Sequence, residues 1–254
     1  MPQRFKITIA YDGRSYKGWQ IQPNGVSVQE KIQEALRNIA GEVIPLHASG
    51  RTDTGVHALA QVAHFDVPAE CRLSANNWPA ALNTKLPSSI RILSAEAVSD
   101  DFHARFSAIE KTYRYEILQR EIHCPFSAGL AWHIRQTLDA DVLRSHVSQF
   151  IGEHDFRHFA ALRGNEKTDT NYRRQIHRAE VIQEADKLVI EFTGNGFLYK
   201  MVRLMVGAAV HQTEGRLPEN QIRRLLNEPT QPHKKPYCAP PDGLFLKKVS
   251  YAER

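Results

Sequence analysis

Two hydrophobic rhythms run through this chain without alternating in a fixed order, and that interleaving limits the fold more than any other feature. Period-two runs mark strands. From Arg4 to Tyr11, the side chains of Phe5, Ile7, Ile9 and Tyr11 share one face. Further strands are predicted at 61–67, 90–98, 112–119, 130–134, 176–183, 188–192 and 244–249, with a short one near 43–46. Period-3.6 runs mark helices. Ser27 and Glu30 form a capping box. It opens a helix that places Val28, Ile32, Leu36 and Ile39 on one face and stops at Gly41. Other helices are expected at 77–83, 141–151, 197–212 and 219–226. The second of these should bury Val142, Leu143, Val147, Phe150 and Ile151 and stop at Gly152. Residues 184–187 read as the turn of a hairpin. Strands and helices mixed in this way, without strict βαβα order, predict an α+β fold with a largely antiparallel sheet. The grammar repeats in two halves, 1–108 and 109–254, although no sequence repeat is visible.

Bulk properties narrow the function classes. The chain has 254 residues, long enough for one large domain or two ordinary ones. No apolar run approaches a membrane span, and the N-terminus reads directly into a strand, so a cytoplasmic protein with no membrane partner is expected. Cys71, Cys124 and Cys238 are far apart and odd in number, which argues against a disulfide framework. Twelve histidines show no ligand spacing, so no metal is expected. Phosphate-binding glycine loops are also missing, and no cofactor is indicated. A net charge of +5 and a pI of about 9.1 are compatible with a polyanionic partner.

Three segments carry chemistry. In Gly50-Arg51-Thr52-Asp53-Thr54-Gly55-Val56-His57-Ala58, two glycines bracket an acid on a loop between core strands. Such loops hold functional groups on a rigid scaffold, although an Asx-turn would also explain Asp53. In Met201–Val210 the helix is apolar around its circumference except at Arg203. A buried guanidinium costs several kcal/mol or so unless paired, so a carboxylate partner is predicted, with snorkelling to water as the competing outcome. Around Lys111–Ile117, Tyr113, Tyr115 and Ile117 share a sheet face. An aromatic there can stack on a base, but Tyr115 reads better as core.

These segments resemble the tRNA pseudouridine synthase A family. The stretches YDGRSYKGWQIQ, SVQEKIQEAL, GRTDTGVHA, DDFHARFSA, KTYRYEI and GNGFLYKMVRLMVG are similar to that family's blocks, in order, over most of the chain. The resemblance implies isomerisation of uridine to pseudouridine at positions 38, 39 and 40 of the tRNA anticodon stem-loop. It implies that Asp53 is the aspartate required for catalysis, that Tyr113 stacks on the target base, and that Arg203 pairs with Asp53. Arg51 would help hold the base out of the stem, and His57, Arg105, Arg14 and Lys17 would contact substrate. It also implies two α+β halves around a shared sheet, an active-site cleft between them, and a homodimer.

The chemistry fits a carboxylate. Asp53 either attacks C1′ or removes the 2′ proton to give a glycal. A basic surface would hold tRNA, with Arg14, Lys17, Arg163, Lys167, Arg173, Arg174 and Arg178 as phosphate contacts and Tyr16 and Trp19 among them. Three other readings compete, one of which, a structural scaffold, has no repeat or low-complexity segment to support it. A non-catalytic RNA-binding module leaves Asp53 unexplained. A hydrolase would need a second carboxylate paired with the first.

Overall fold

The computed structural model describes residues 2–68, 70–162, 170–231 and 233–252. In chain order the main elements are β1 (Gln3–Tyr11), α1 (Val28–Ala40), β2 (His47–Ala48), β3 (His57–Val67), α2 (Trp78–Asn83), β4 (Ile90–Val98), β5 (Ala108–Gln119) and β6 (Trp132–Ile134). There follow α3 (Ala140–Ser148), β7 (Gly152–Asp155), β8 (Arg173–Glu184), β9 (Lys187–Gly194), α4 (Met201–Thr213), α5 (Gln221–Asn227) and β10 (Leu244–Tyr251). The result is α+β with mostly antiparallel pairing. The chain forms two compact units, Met1–Ile109 with Phe245–Arg254, and Glu110–Leu244.

In the first unit β1 runs antiparallel to both β3 and β4. The other edge of β3 is shared. Antiparallel β2 takes its middle, and parallel β10 takes its start through Phe245 opposite His57 and Leu246 opposite Ala58. Residues 245–251, which fall in the second half by sequence alone, therefore complete the first unit. Alternation puts Phe5, Ile7 and Ile9 inside, where Phe5 and Phe65 meet Trp78 of α2. The capping box of α1 forms in full, and Val28, Ile32 and Leu36 are buried.

The second unit orders its strands β7-β8-β9-β5, with β6 parallel to the far edge of β5. Phe150, Phe156, Phe159 and Phe192 form its densest cluster. The helix α4 is buried nearly all round, as its composition requires.

Several local expectations are corrected. No strand forms at 43–46, because Val43 points to water while Pro45, lacking an N–H, cannot donate to a ladder; the pairing starts at His47. The helix predicted at 141–151 ends at Ser148, and Val142 and Ile151, both expected inside, are exposed. Gly152 does not stop that helix but opens β7, an edge strand the sequence pattern had not revealed. The helix predicted from 197 begins at 201, because Lys200 takes a left-handed backbone, φ 58°.

Candidate active site

Asp53 sits half-buried on the connection from β2 to β3, and nearly every neighbour of that loop is tied down. The Thr52 hydroxyl and the Tyr11 phenol share a 2.8 Å hydrogen bond inside the unit. Burial pushes the Tyr11 phenol far above its ordinary pKa, so it stays neutral. Ser49 donates to the Gln61 side chain at 2.7 Å, and Gln61 in turn donates to the Gly50 carbonyl at 3.0 Å. The Asp53 carbonyl accepts from the Val56 amide at 3.1 Å, closing the turn.

Residues 12–19 lie against this loop backbone to backbone. The Trp19 amide donates to the Thr52 carbonyl at 3.1 Å. A Cβ at Gly18 (φ +88°) would stand 2.6 Å from that same oxygen, and one at Gly13 would stand 2.1 Å from the Val56 carbonyl oxygen. Only glycine fits at either place.

The other residues expected in this unit divide. Arg51, Lys17 and Arg105 are exposed. The Arg105 guanidinium lies 5.5 Å from the ring centre of Phe106, itself 76% exposed. Arg14 is exposed but already engaged by a forked pair to Asp12, with Nη2 at 2.6 Å. Burial pushes the Asp12 carboxyl up, but the hydrogen bonds and charge of Arg14 outweigh it and hold the group below its usual range. His57 corrects the expectation of substrate contact. It is 1% exposed, its Nδ1 accepts from the Gly13 amide at 3.1 Å, and its ring stacks on Phe245 at 4.6 Å. It fixes the 12–19 loop rather than facing solvent. Tyr16 and Trp19 are likewise core residues, not surface aromatics.

In the second unit Tyr113 stands on β5 opposite Phe192 and meets Phe197 edge-on at 5.0 Å. Tyr115 is fully buried, as its competing reading required, and its hydroxyl donates to the Pro240 carbonyl at 2.8 Å. Arg203 is half-buried on α4. Its Nε donates to the Ala239 carbonyl at 2.7 Å, while the Ala239 amide donates back to the Arg203 carbonyl at 3.1 Å. One turn on, a Cβ at Gly207 would lie 1.9 Å from the Tyr237 carbonyl oxygen. The strap 237–240 therefore rests directly on α4.

Of the basic residues named for tRNA in this unit, Arg173 pairs with Glu153 at 2.8 Å, and Arg178 approaches Glu180 and Glu191 at 3.6 and 3.5 Å. Arg174 has no carboxylate partner among the described residues. Arg163 and Lys167 lie outside the described residues. Among the described residues no group of three or more histidine, cysteine, aspartate or glutamate side chains is placed to hold a metal ion, and no helix is long and apolar enough to cross a membrane. The polar clamp of Tyr11, Ser49, Thr52 and Gln61 escaped the sequence reading. Its one visible sign is a tyrosine closing an otherwise aliphatic strand face.

Residues 7–107 and 147–252 match the family model described as tRNA pseudouridine synthase. A protein named tRNA pseudouridine synthase A from Akkermansia muciniphila is 51% identical over 253 residues, covering 98% of this chain and 96% of that one. A protein of the same name from Thermoanaerobacter sp. is 40% identical, covering 96% and 98%. One named tRNA pseudouridine synthase A 2 from Clostridium perfringens is 38% identical, covering 98% and 100%. Among solved structures, a chain of a Cbf5-Nop10-Gar1 complex aligns at a TM-score of 0.32 and 12% identity over 79% of this chain and 52% of that one, a likeness too slight to carry an argument.

Proposed function

Because the chain belongs to the tRNA pseudouridine synthase family, we propose that it isomerises uridine to pseudouridine at positions 38, 39 and 40 of the tRNA anticodon stem-loop, with Asp53 acting at the ribose. The observation that carries the role of Asp53 is its loop. The acid is only half-buried, yet the residues around it are held by buried hydrogen bonds and by backbone contact. A reacting group needs that combination, because a fixed position removes the cost of orienting it in the transition state.

The reaction breaks the N1–C1′ bond of uridine and joins C5 to C1′. Asp53 adds to C1′ as N1 departs, or takes the 2′ proton to leave a glycal; both routes need the carboxylate ionised. The base then turns and C5 bonds to C1′, expelling the Asp53 carboxylate on the first route or with the 2′ proton returned from Asp53 to C2′ on the second; the C5 proton then leaves and N1 gains one. Arg203 is the proposed counter-charge that keeps Asp53 ionised. Tyr113 stacks on the target base, a contact worth about 1–3 kcal/mol, and its hydroxyl offers a route for the C5 proton. Arg51 helps hold the target base out of the stem, and Lys17 and Arg105 contact the RNA backbone. The family resemblance supports a homodimer working in the cytoplasm.

The test is tritium release from C5-labelled, unmodified tRNA, with the modified positions mapped afterwards. Wild-type protein is expected to release label and mark positions 38–40, and Asp53→Ala is expected to bind tRNA without releasing label. Near-normal release by Asp53→Ala removes that residue from the chemistry.

A further inference from the structure

Arg174 differs from every other arginine named for tRNA contact that the structure describes in the second unit. Arg173 and Arg178, on the same strand, are answered by glutamates. Arg174 is half-buried, and its Nη1 donates only to the backbone carbonyls of Asn171, at 3.0 Å, and Arg173. Among the described residues no acid lies near enough to support its charge, and burial pulls its pKa down. A guanidinium brought out of water costs free energy unless an anion or a full set of acceptors meets it. Two carbonyls on one nitrogen leave Nε and Nη2 without acceptors among the described residues.

What lies beside Nε is the loop from β9 to α4. A Cβ at Gly196 would sit 3.6 Å from Arg174 Nε. Asn195 docks the loop on Gln175 twice, its amide to the Gln175 carbonyl and its Oδ1 to the Gln175 amide, both at 3.1 Å. The next two amides, of Gly196 and Phe197, have no acceptor among the described residues. Lys200 follows at the start of α4, its Nζ 5.3 Å from the Tyr199 ring centre. Unengaged donors and positive charge thus gather at one loop, with no acid among the described residues to answer them. Phe197, at the end of that loop, is the ring that meets Tyr113.

We infer that Arg174 and the 194–197 loop form a binding site for one phosphodiester of the RNA strand, next to the nucleotide that Tyr113 receives. The planar guanidinium offers two parallel donors, a match for two phosphate oxygens, and the Gly196 amide adds a third. A glycine at 196 leaves the approach to Nε open. This assignment rests on the proposed function and adds a place where the enzyme grips the strand.

The experiment uses anticodon stem-loop RNAs carrying a single uncharged methylphosphonate, moved one linkage at a time around the target uridine. Wild-type protein should lose roughly 10- to 100-fold in kcat/KM at one linkage, the range that charge-assisted hydrogen bonds give. Arg174→Gln should lose a similar amount on the unmodified RNA and show no further loss at that linkage. It should also lower the slope of log affinity against log salt by about 0.7–0.9, the value for one phosphate contact. Gly196→Ala, which meets only the Arg174 side chain at ordinary contact distance, should fold normally and weaken the same linkage effect. The site is overturned when no linkage matters to the wild type, or when Arg174→Gln remains as sensitive as the wild type to every substitution. A wild-type protein with no turnover on the unmodified RNA overturns the proposed function, and this inference with it.

Discussion

The two units hold their key loops by opposite means. In the first, the loop bearing Asp53 is clamped through its own short side chains: Ser49 and Thr52 reach inward to Gln61 and Tyr11. In the second, the strap 237–240 contributes carbonyls, and long side chains of the scaffold, Tyr115 and Arg203, reach out to them. The first arrangement concentrates its information in two anchors on one short loop, Ser49 and Thr52, although their partners Tyr11 and Gln61 come from β1 and β3. The second spreads it over positions 115, 203, 207 and 239, which are remote in the chain.

That contrast is open to attack in order of size. Gly207→Ala should be the most damaging change, because its Cβ would collide with the Tyr237 backbone rather than a movable side chain. A loss of about 3 kcal/mol in chemical denaturation is expected. An unchanged midpoint would mean the strap moves freely and the comparison is misdrawn. Tyr11→Phe leaves the Thr52 hydroxyl without its buried partner and should cost about 2 kcal/mol. Turnover should fall more than stability explains, since the acid's loop loosens. Ser27→Ala, in the same unit but on the α1 cap, should cost about 1 kcal/mol with kcat unchanged. If these two variants lose activity in proportion to stability alone, the clamp has no special part in positioning Asp53.

The last test is with pH. His64 is packed against His47 and His103, and burial first, then the neighbouring His103, lowers its pKa from 6.5 to about 4. Its neutral form is the folded one. Between pH 6.5 and about 4 the unfolded chain binds more protons, so stability falls as pH drops through that window. His64→Gln should flatten this part of the denaturation profile, and an identical slope in the variant would exclude His64 as its source.

The same contrast explains what was legible in the sequence. The Ser27–Glu30 box, the strand face of Phe5, Ile7 and Ile9 and the glycine-flanked acid are local patterns, and local patterns can be read from one chain. The burial of His57 is not legible in the same way, because its partners, Gly13 and Phe245, come from distant segments. Arg174 was one of seven basic candidates by sequence, and only the glutamates facing Arg173 and Arg178 set it apart. Tyr16 and Trp19 were placed outside because their loop is polar, while their rings turn into the core.

The position of β10 bears on synthesis of the protein. Its residues stack Phe245 on His57, pair with the start of β3, and reach from the Tyr251 hydroxyl to the Ala104 carbonyl. A ribosome delivers these residues well over a hundred positions after the loop they support. The half that emerges first must therefore wait, one strand short, through translation of the whole other half, so a nascent or C-terminally clipped chain would carry its acid on an unfinished platform.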